Sequence, residues 1–192
     1  MSKKIYIVIS ICVVLAAILA VVLYWPEYQK QRAAEKVISQ RMEEIRQANP
    51  ELLQKFLASI EQLERQVKDN PKDYEAFRDL GVNYNAIGDY AKAEKAYKRA
   101  AEILPNNVVV WNNLGELYKR QGRFEEAKSA FLKLLEFDDT DVKAYLDLAE
   151  MYAAGQAGTL DDAKFILQQG ILKTQSGGLK DALERLNREG RL

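Results

Sequence analysis

Histidine is absent from this chain of 192 residues, and its only cysteine is Cys12. These shortages remove the usual ligands of zinc, haem and iron–sulfur clusters, and they remove the Ser-His and Cys-His pairs of nucleophilic catalysis. The sequence also has no glycine-rich loop that would cradle a phosphate. We therefore predict no catalytic residue, no metal site and no cofactor, and we expect a protein that is not an enzyme and takes no small-molecule substrate.

The chain also lacks a net charge, because 28 lysines and arginines balance 28 aspartates and glutamates. No field of one sign is available to gather a nucleic acid, so we expect no nucleic-acid partner. Acidic pairs at residues 138–139 and 161–162 lie at predicted helix junctions. Helix capping and favourable contacts with the helix dipole explain such carboxylates without catalysis.

One long uncharged run is present near the N-terminus, at residues 5–25. As a helix rising about 1.5 Å per residue it spans roughly 30 Å, the thickness of the hydrocarbon core of a bilayer. Tyr6 at one end and Trp25 with Tyr28 at the other resemble interfacial aromatic belts. The run is longer than the core of a cleaved signal peptide, and it is too apolar for a core helix of so small a domain. We predict a single-pass transmembrane anchor at residues 1–26.

Positive charges flank this run on both sides. Two cations precede it and four come after it: Lys3, Lys4, Lys30, Arg32, Lys36 and Arg41. The larger group favours a cytoplasmic location for the rest of the chain. A short basic tail joined directly to the apolar run is instead typical of a bacterial signal anchor, which exports the C-terminal part of the chain. We expect a protein of the bacterial inner membrane with its main domain extracytoplasmic, and the opposite orientation stays open.

The remainder of the chain repeats itself at a fixed offset. Eight positions recur 34 residues later with the same or a similar side chain, without any gap. The pairs are Phe77 and Trp111, Leu80 and Leu114, Gly81 and Gly115, Tyr84 and Tyr118, Gly88 and Gly122, Tyr90 and Phe124, Ala93 and Ala127, and Tyr97 and Phe131. The pattern W-x2-L-G-x2-Y, followed by G-x-Y/F-x2-A-x3-F/Y, resembles the tetratricopeptide repeat.

The resemblance implies an all-α fold, a right-handed solenoid of helix-turn-helix units that the transmembrane helix and a helical stalk precede. Three units occupy residues 73–177: two clear ones at 74–107 and 108–141, and a third at 142–177. The third unit keeps the phase of the pattern only if its central turn, near residues 155–158, is enlarged by two residues.

The residue types inside each unit follow from how its helices pack. Small residues such as Gly81 and Ala93 let the two helices of a unit approach closely, and large residues fill the gaps between neighbouring units. Gly88 and Gly122 lie where the first helix ends, so we expect a positive φ at both.

Three further segments flank the repeats. Residues 27–48 have only a thin apolar stripe at helical spacing, which favours a solvated helical stalk over a self-associating coiled coil. Residues 49–72 carry a broader apolar face and are predicted to form a degenerate repeat or an N-terminal packing helix. Residues 178–192 are predicted to form a capping helix and tail that shield the last repeat. A helix that occupies the binding groove until a partner displaces it is the alternative for this last segment.

In the tetratricopeptide family the first helices of successive units line a groove that binds proteins. Carried onto this sequence, the groove positions are Arg78, Asp79, Val82, Asn85, Asn112, Asn113, Glu116, Lys119, Lys143, Asp147 and Glu150. The adjacent amides of Asn112 and Asn113 have the chemistry to hydrogen-bond an extended peptide backbone. The family's clamp for acidic C-terminal tails is matched only at Asn113 and Lys143. Because Asp147 stands where the clamp needs a cation, we expect no such clamp here.

An anchor joined to protein-binding repeats indicates a membrane-anchored protein–protein interaction scaffold, or an assembly factor for membrane or envelope complexes. Its expected partners are other proteins of a membrane complex, since tethering raises their effective concentration at the repeats. Two alternatives stay open. One is a permanent accessory subunit of a larger membrane complex, and the other is an organelle import-type receptor whose repeats face the cytosol.

Overall fold

A computed structural model describes the backbone of residues 3–192 and the side chains of residue 22, residues 25–26 and residues 28–192. This part of the chain contains nine α-helices and no strand, which confirms the predicted all-α class. The helices are α1 (Lys3–Ala48), α2 (Pro50–Asp69), α3 (Tyr74–Ala86), α4 (Tyr90–Ile103), α5 (Val108–Arg120), α6 (Phe124–Phe137), α7 (Val142–Ala153), α8 (Leu160–Thr174) and α9 (Gly177–Glu189).

Backbone contacts divide the chain into two units. The first contains the chain up to Gln54 together with the turn Ile87–Asp89. The second contains Lys55–Ala86 and Tyr90–Leu192, and therefore holds nearly all of the repeats.

The first unit consists mainly of α1, which continues through Pro26 and includes the residues predicted to form the stalk. The second helix, α2, starts at a well-formed cap, where the Asn49 side-chain oxygen accepts a hydrogen bond from the backbone N–H of Leu52 at 3.0 Å. Pro50 occupies the first helical position, where its missing N–H costs nothing.

The predicted transmembrane anchor, residues 1–26, falls almost entirely on side chains outside the described residues. Within the described part, none of the helices has the length and apolar character needed to cross a bilayer. The anchor therefore stays a prediction.

In the second unit, α3 pairs with α4, α5 with α6, and α7 with α8, as three successive helical hairpins. The expected positive φ is present at both turn glycines, +85° at Gly88 and +70° at Gly122. The turn between α7 and α8 spans residues 154–159 and is longer than the turn at 121–123. This longer turn accounts for the two-residue slip, because Ala163 and Leu167 are fully buried at the shifted positions.

Close approach of the paired helices is visible at the eighth position of each repeat. A Cβ atom added at Gly81 would lie 2.3 Å from the ring of Tyr97, and one added at Gly115 would lie 2.6 Å from the ring of Phe131. Both rings are buried, so neither can move aside cheaply. The glycine thus makes the space that the ring of the second helix fills.

The third repeat solves the same packing problem with different residues. Ala149 occupies the glycine position and Leu167 the ring position, and both are fully buried. Compared with the second repeat, the first helix of this hairpin has alanine in place of glycine, and the second helix has the smaller leucine in place of phenylalanine. The larger residue on one helix offsets the smaller residue on the other.

Aromatic side chains fix the turns that lead from one repeat to the next. Trp111 donates its indole N–H to the carbonyl of Pro105 at 2.6 Å. At the equivalent position of the next repeat, the Tyr145 hydroxyl donates to the carbonyl of Asp139 at 3.1 Å. Trp111 and Tyr145 therefore make equivalent hydrogen bonds to the turn that precedes their repeat, as stacked copies of one unit require.

Phe77 is the residue equivalent to Trp111 in the first repeat, and its ring has no donor. There Arg99 lies over the Phe77 ring, 6.0 Å from its centroid, and donates to the carbonyl of Pro71 at 3.2 Å. Arginine thus replaces the missing N–H, so the same kind of turn is held by a different group.

A half-buried ion pair joins the first and second repeats. Arg123 binds Glu94 at 2.6 Å and lies over the Tyr118 ring, 4.4 Å from its centroid. Burial raises the pKa of Glu94, but hydrogen bonds from Arg123 and Lys98 outweigh it and lower the pKa to about 2. Glu94 therefore stays ionised at neutral pH and holds α4 to the turn between α5 and α6.

Side chains cap the N-termini of α7 and α8. Asp141 caps α7 by accepting from the Ala144 N–H at 2.8 Å, and Thr159 forms a capping box with Asp162 at the start of α8. The last helix, α9, packs on α8 and α7 and buries the apolar side chains of Leu179, Ala182 and Leu186.

We predict that Gly115→Ala lowers the free energy of unfolding by about 1–3 kcal/mol, because the added methyl overlaps the ring of Phe131. Adding Phe131→Leu should recover part of that loss, since the pair then matches Ala149 and Leu167. Chemical denaturation followed by circular dichroism measures both changes. Gly177→Ala is the control, because nothing lies within 4 Å of a Cβ there. Additive losses in the double variant would contradict this packing account.

Candidate protein-binding groove

The predicted groove residues lie on three helices, α3, α5 and α7, and we call the surface that these first helices carry the groove face. Val82 on α3 is 45% exposed, and Lys143 and Glu150 on α7 are also exposed. The predicted residues on α5, together with Arg78, Asp79 and Asn85, are half-buried. Asp147 differs from the expectation of a ligand-facing side chain, because it is only 6% exposed.

Four of the predicted residues form a closed charge network between α5 and α7. Both Lys119 and Lys143 donate to the carboxylate of Asp147, Lys143 at 2.6 Å. Lys143 also donates to Glu116, and the Lys119 ammonium lies 3.6 Å from the same carboxylate. Two cations and two anions thus satisfy one another, and the network is electrically neutral.

Partial desolvation of the Lys143 ammonium by its neighbours lowers its pKa, but the hydrogen bonds to Asp147 and Glu116 outweigh this effect and raise the pKa overall. The lysine therefore stays charged across the neutral range. A ligand that binds either lysine must first displace a carboxylate of the protein. The network acts as a brace between α5 and α7, and it offers no unneutralised charge to a partner.

A second ion pair uses charges of the first repeat. Arg78 binds the neighbouring Asp79 at 2.8 Å and lies 5.9 Å from the centroid of the Tyr74 ring. On the same helix the side-chain oxygen of Asn85 is buried and has no hydrogen-bond partner within the described residues. This oxygen is an acceptor that a backbone N–H or a water can satisfy.

The side chains of Asn112 and Asn113 are half-buried on α5 and make no hydrogen bond with the described residues. Each offers an acceptor oxygen and a donor nitrogen, the pair of groups that an extended backbone needs. Together with the exposed Val82 and Glu150, they are the predicted residues that the fold leaves available for contact.

A depression of about 350 Å³ lies at the α7 end of the groove face. Its lining includes Lys119 and Glu150 of the predicted set, along with Met151, Arg191 and Leu192. The residues at 191 and 192 were not among the predicted contacts, because they come after the repeats and have no counterpart in the repeat pattern. Their presence here depends on how α9 packs.

Sequence reasoning also missed the pairing within the charge network. The spacing of Lys143 and Asp147, four residues apart on one helix, indicates half of it. The contacts from Lys119 and Glu116 cross to a neighbouring helix, and no local spacing signals them.

The described residues contain no group of three or more acidic or cysteine side chains placed to hold a metal ion. One aspartate of each acidic pair noted in the sequence accepts a hydrogen bond from the backbone. Asp138 accepts from the Thr140 N–H at 3.0 Å, and the Asp162 carboxylate accepts from the Thr159 N–H at 2.8 Å.

Comparison with known proteins supports the repeat assignment. Two sequence profiles, each described as tetratricopeptide repeat, match residues 53–108 and residues 84–152. The first match includes most of α2 in addition to the hairpin of α3 and α4. No curated protein matches the sequence.

Solved structures share the fold. A crystal structure of MamA is 19% identical, with a TM-score of 0.55, and the alignment covers 77% of this chain and 92% of that chain. A second, of MamA protein, is 18% identical with a TM-score of 0.56, covering 85% of this chain and 90% of that chain. At these identities the likeness concerns the helical repeat fold.

We predict that Asp147→Asn lowers the free energy of unfolding by about 1–3 kcal/mol, because two lysines then lose the carboxylate they share. Thermal and denaturant unfolding measure the loss. Glu150→Gln, an exposed change on the same helix, is the control and should be near neutral. In a double-mutant cycle with Lys119→Gln the two losses should be less than additive, and full additivity would show that the brace does not couple α5 to α7.

Proposed function

Since this chain is a tetratricopeptide-repeat protein, we propose that it is a membrane-anchored scaffold or assembly factor that holds partner proteins on the groove face. The partners are other proteins of a membrane or envelope complex, and the chain itself performs no catalysis. One observation carries this proposal. The groove face combines a charge network that neutralises itself and holds α5 to α7 with polar side chains, Asn112 and Asn113, that make no hydrogen bond within the described residues.

The chemistry of the available groups indicates the kind of ligand. Asn112 and Asn113 are neutral donors and acceptors, and Val82 adds an exposed apolar contact. Such a set suits an extended peptide segment, whose backbone provides the complementary groups at regular intervals. Selection by strong charge is weak here, because the lysines of the groove face are already paired.

Membrane attachment is the second part of the proposal, and the uncharged run at residues 5–25 supports it. Trp25 and Tyr28 are exposed on α1, with ring centroids 5.9 Å apart, and the Arg32 guanidinium lies 6.0 Å from the Tyr28 ring. Aromatic rings followed by a cation are the side chains that favour the headgroup region of a bilayer. Attachment raises the effective concentration of membrane partners, so modest contacts on the groove face suffice.

Site-specific photo-crosslinking in membranes tests the proposal. A photoreactive phenylalanine analogue at Asn112 or Val82 should give discrete covalent adducts with partner proteins, and Asn113→Arg in the same chain should reduce their yield. The same analogue at Glu184, an exposed position on α9, is the control and should give little. Equal yields at Asn112 and Glu184, or no adduct from the groove face, would count against binding there.

Placement of the repeats separates this proposal from its alternative, a receptor whose repeats face the cytosol. We propose the extracytoplasmic side of a bacterial inner membrane, on the short basic tail at Lys3 and Lys4. The four cations after the run favour the alternative. Protease added outside sealed vesicles digests the repeats only if they lie on the outer surface. In vesicles whose cytoplasmic side faces outward, the proposal expects the repeats to stay intact. Digestion from the cytoplasmic side would support the receptor and overturn the exported placement.

A further inference from the structure

Two apolar slots lie on the face that the second helices form. The first, of about 840 Å³, is floored by Phe77, Leu80 and Tyr84 of α3 and flanked by α2 and α4. We call it the first slot. The second slot, of about 650 Å³, lies between α4 and α6 and is floored by α5.

The two slots are repeats of one feature. The lining positions of the second slot that lie 34 residues after those of the first are Lys98, Trp111, Leu114, Tyr118, Glu126, Ser129, Ala130 and Lys133. Their rims differ in charge, however. Lys92 and Lys95 of the first slot are replaced by Glu126 and Ser129 in the second.

The rim of the first slot carries four cations, all on α4, against three carboxylates. Lys98 and Arg99 are neutralised by Glu94 and Glu102, at 2.7 and 2.8 Å. Lys95 is exposed and takes part in no ion pair within the described residues. The first slot therefore combines an open apolar floor with an unneutralised cation, a combination that suits an apolar ligand with an acidic neighbour.

The third repeat carries the complementary surface. On α8, Phe165 is 60% exposed and Leu172 is 68% exposed, and their spacing of seven residues places them on one side of the helix. Asp161 is exposed one turn before Phe165 and takes part in no ion pair within the described residues. Large apolar side chains so fully in water on one helix side are typical of a contact surface.

We propose that α8 of one copy of this protein docks into the first slot of a second copy. Phe165 and Leu172 contact the apolar floor, and Asp161 faces Lys95. The second slot does not compete, because Ser129 stands there in place of Lys95, and its two lysines, Lys98 and Lys133, are each bound by a carboxylate of the protein. Both surfaces belong to the same chain and lie away from the groove face, so this self-association leaves the groove residues available for other proteins.

The contact joins two different patches and is therefore heterologous. Each pair of copies leaves an unoccupied first slot at one end and an unoccupied α8 at the other. Further copies can add unless geometry closes the assembly, so the expected species include some larger than a dimer.

Disulfide trapping between full-length chains tests the contact. In a Cys12→Ser background, chains carrying Lys95→Cys and chains carrying Asp161→Cys, with tags of different size, are mixed in detergent and oxidised. The proposal expects a mixed disulfide dimer from this combination. Lys95→Cys mixed with Asp181→Cys, an exposed aspartate of α9, is the matched control. Equal trapping with both partners, or none with Asp161→Cys, overturns the proposal.

Sedimentation of the full chain in detergent provides a second, independent readout. Phe165→Ala should weaken self-association by about tenfold or more, as truncation of an interface anchor does. Phe137→Ala removes another exposed ring, on α6, and should leave it unchanged. Lys95→Glu and Asp161→Lys should each weaken association, and the two changes in one chain should restore it. Failure of that restoration, or equal effects of Phe165→Ala and Phe137→Ala, contradicts the docking.

Discussion

The structure depends on the close approach of two helices within each hairpin. The ring of Tyr97 occupies the space where a side chain at Gly81 would be, and the ring of Phe131 does the same at Gly115. These contacts bury one side of each helix only. The remaining apolar sides are covered by the next hairpin and finally by α9, so each hairpin depends on its successor.

This dependence explains why the repeats could be predicted from sequence. Equivalent positions of successive hairpins pack in the same way and therefore need similar residue types. In the sequence these positions recur every 34 residues, which makes the repeats recognisable. The equivalent hydrogen bonds of Trp111 and Tyr145 result from it. Even the third repeat could be placed, because the buried Ala163 and Leu167 keep their pattern after the enlarged turn.

The details of the groove face could not be predicted in the same way. The resemblance named which helix positions face the groove, but pairing across α5 and α7 depends on side-chain reach between helices, which no single-helix spacing encodes. Asp147 was therefore expected at the surface and is buried between two lysines. The slots were missed for a related reason: each is lined by three helices. The anchor is a different case, because its residues lie largely outside those described.

Charge is used differently on the two faces of the repeats, and this separates their roles. On the groove face Lys119 and Lys143 are bound by carboxylates of the protein, so a ligand there meets amides, an exposed valine and the carboxylate of Glu150. On the other face Lys95 lies outside every ion pair of the described residues, beside an apolar floor. Neutral hydrogen bonding suits many peptide backbones, whereas a cation beside an apolar slot selects an acidic, apolar surface. One face is thus suited to varied partners and the other to a single specific one, an arrangement that lets a scaffold assemble with itself without occupying the site that binds its partners.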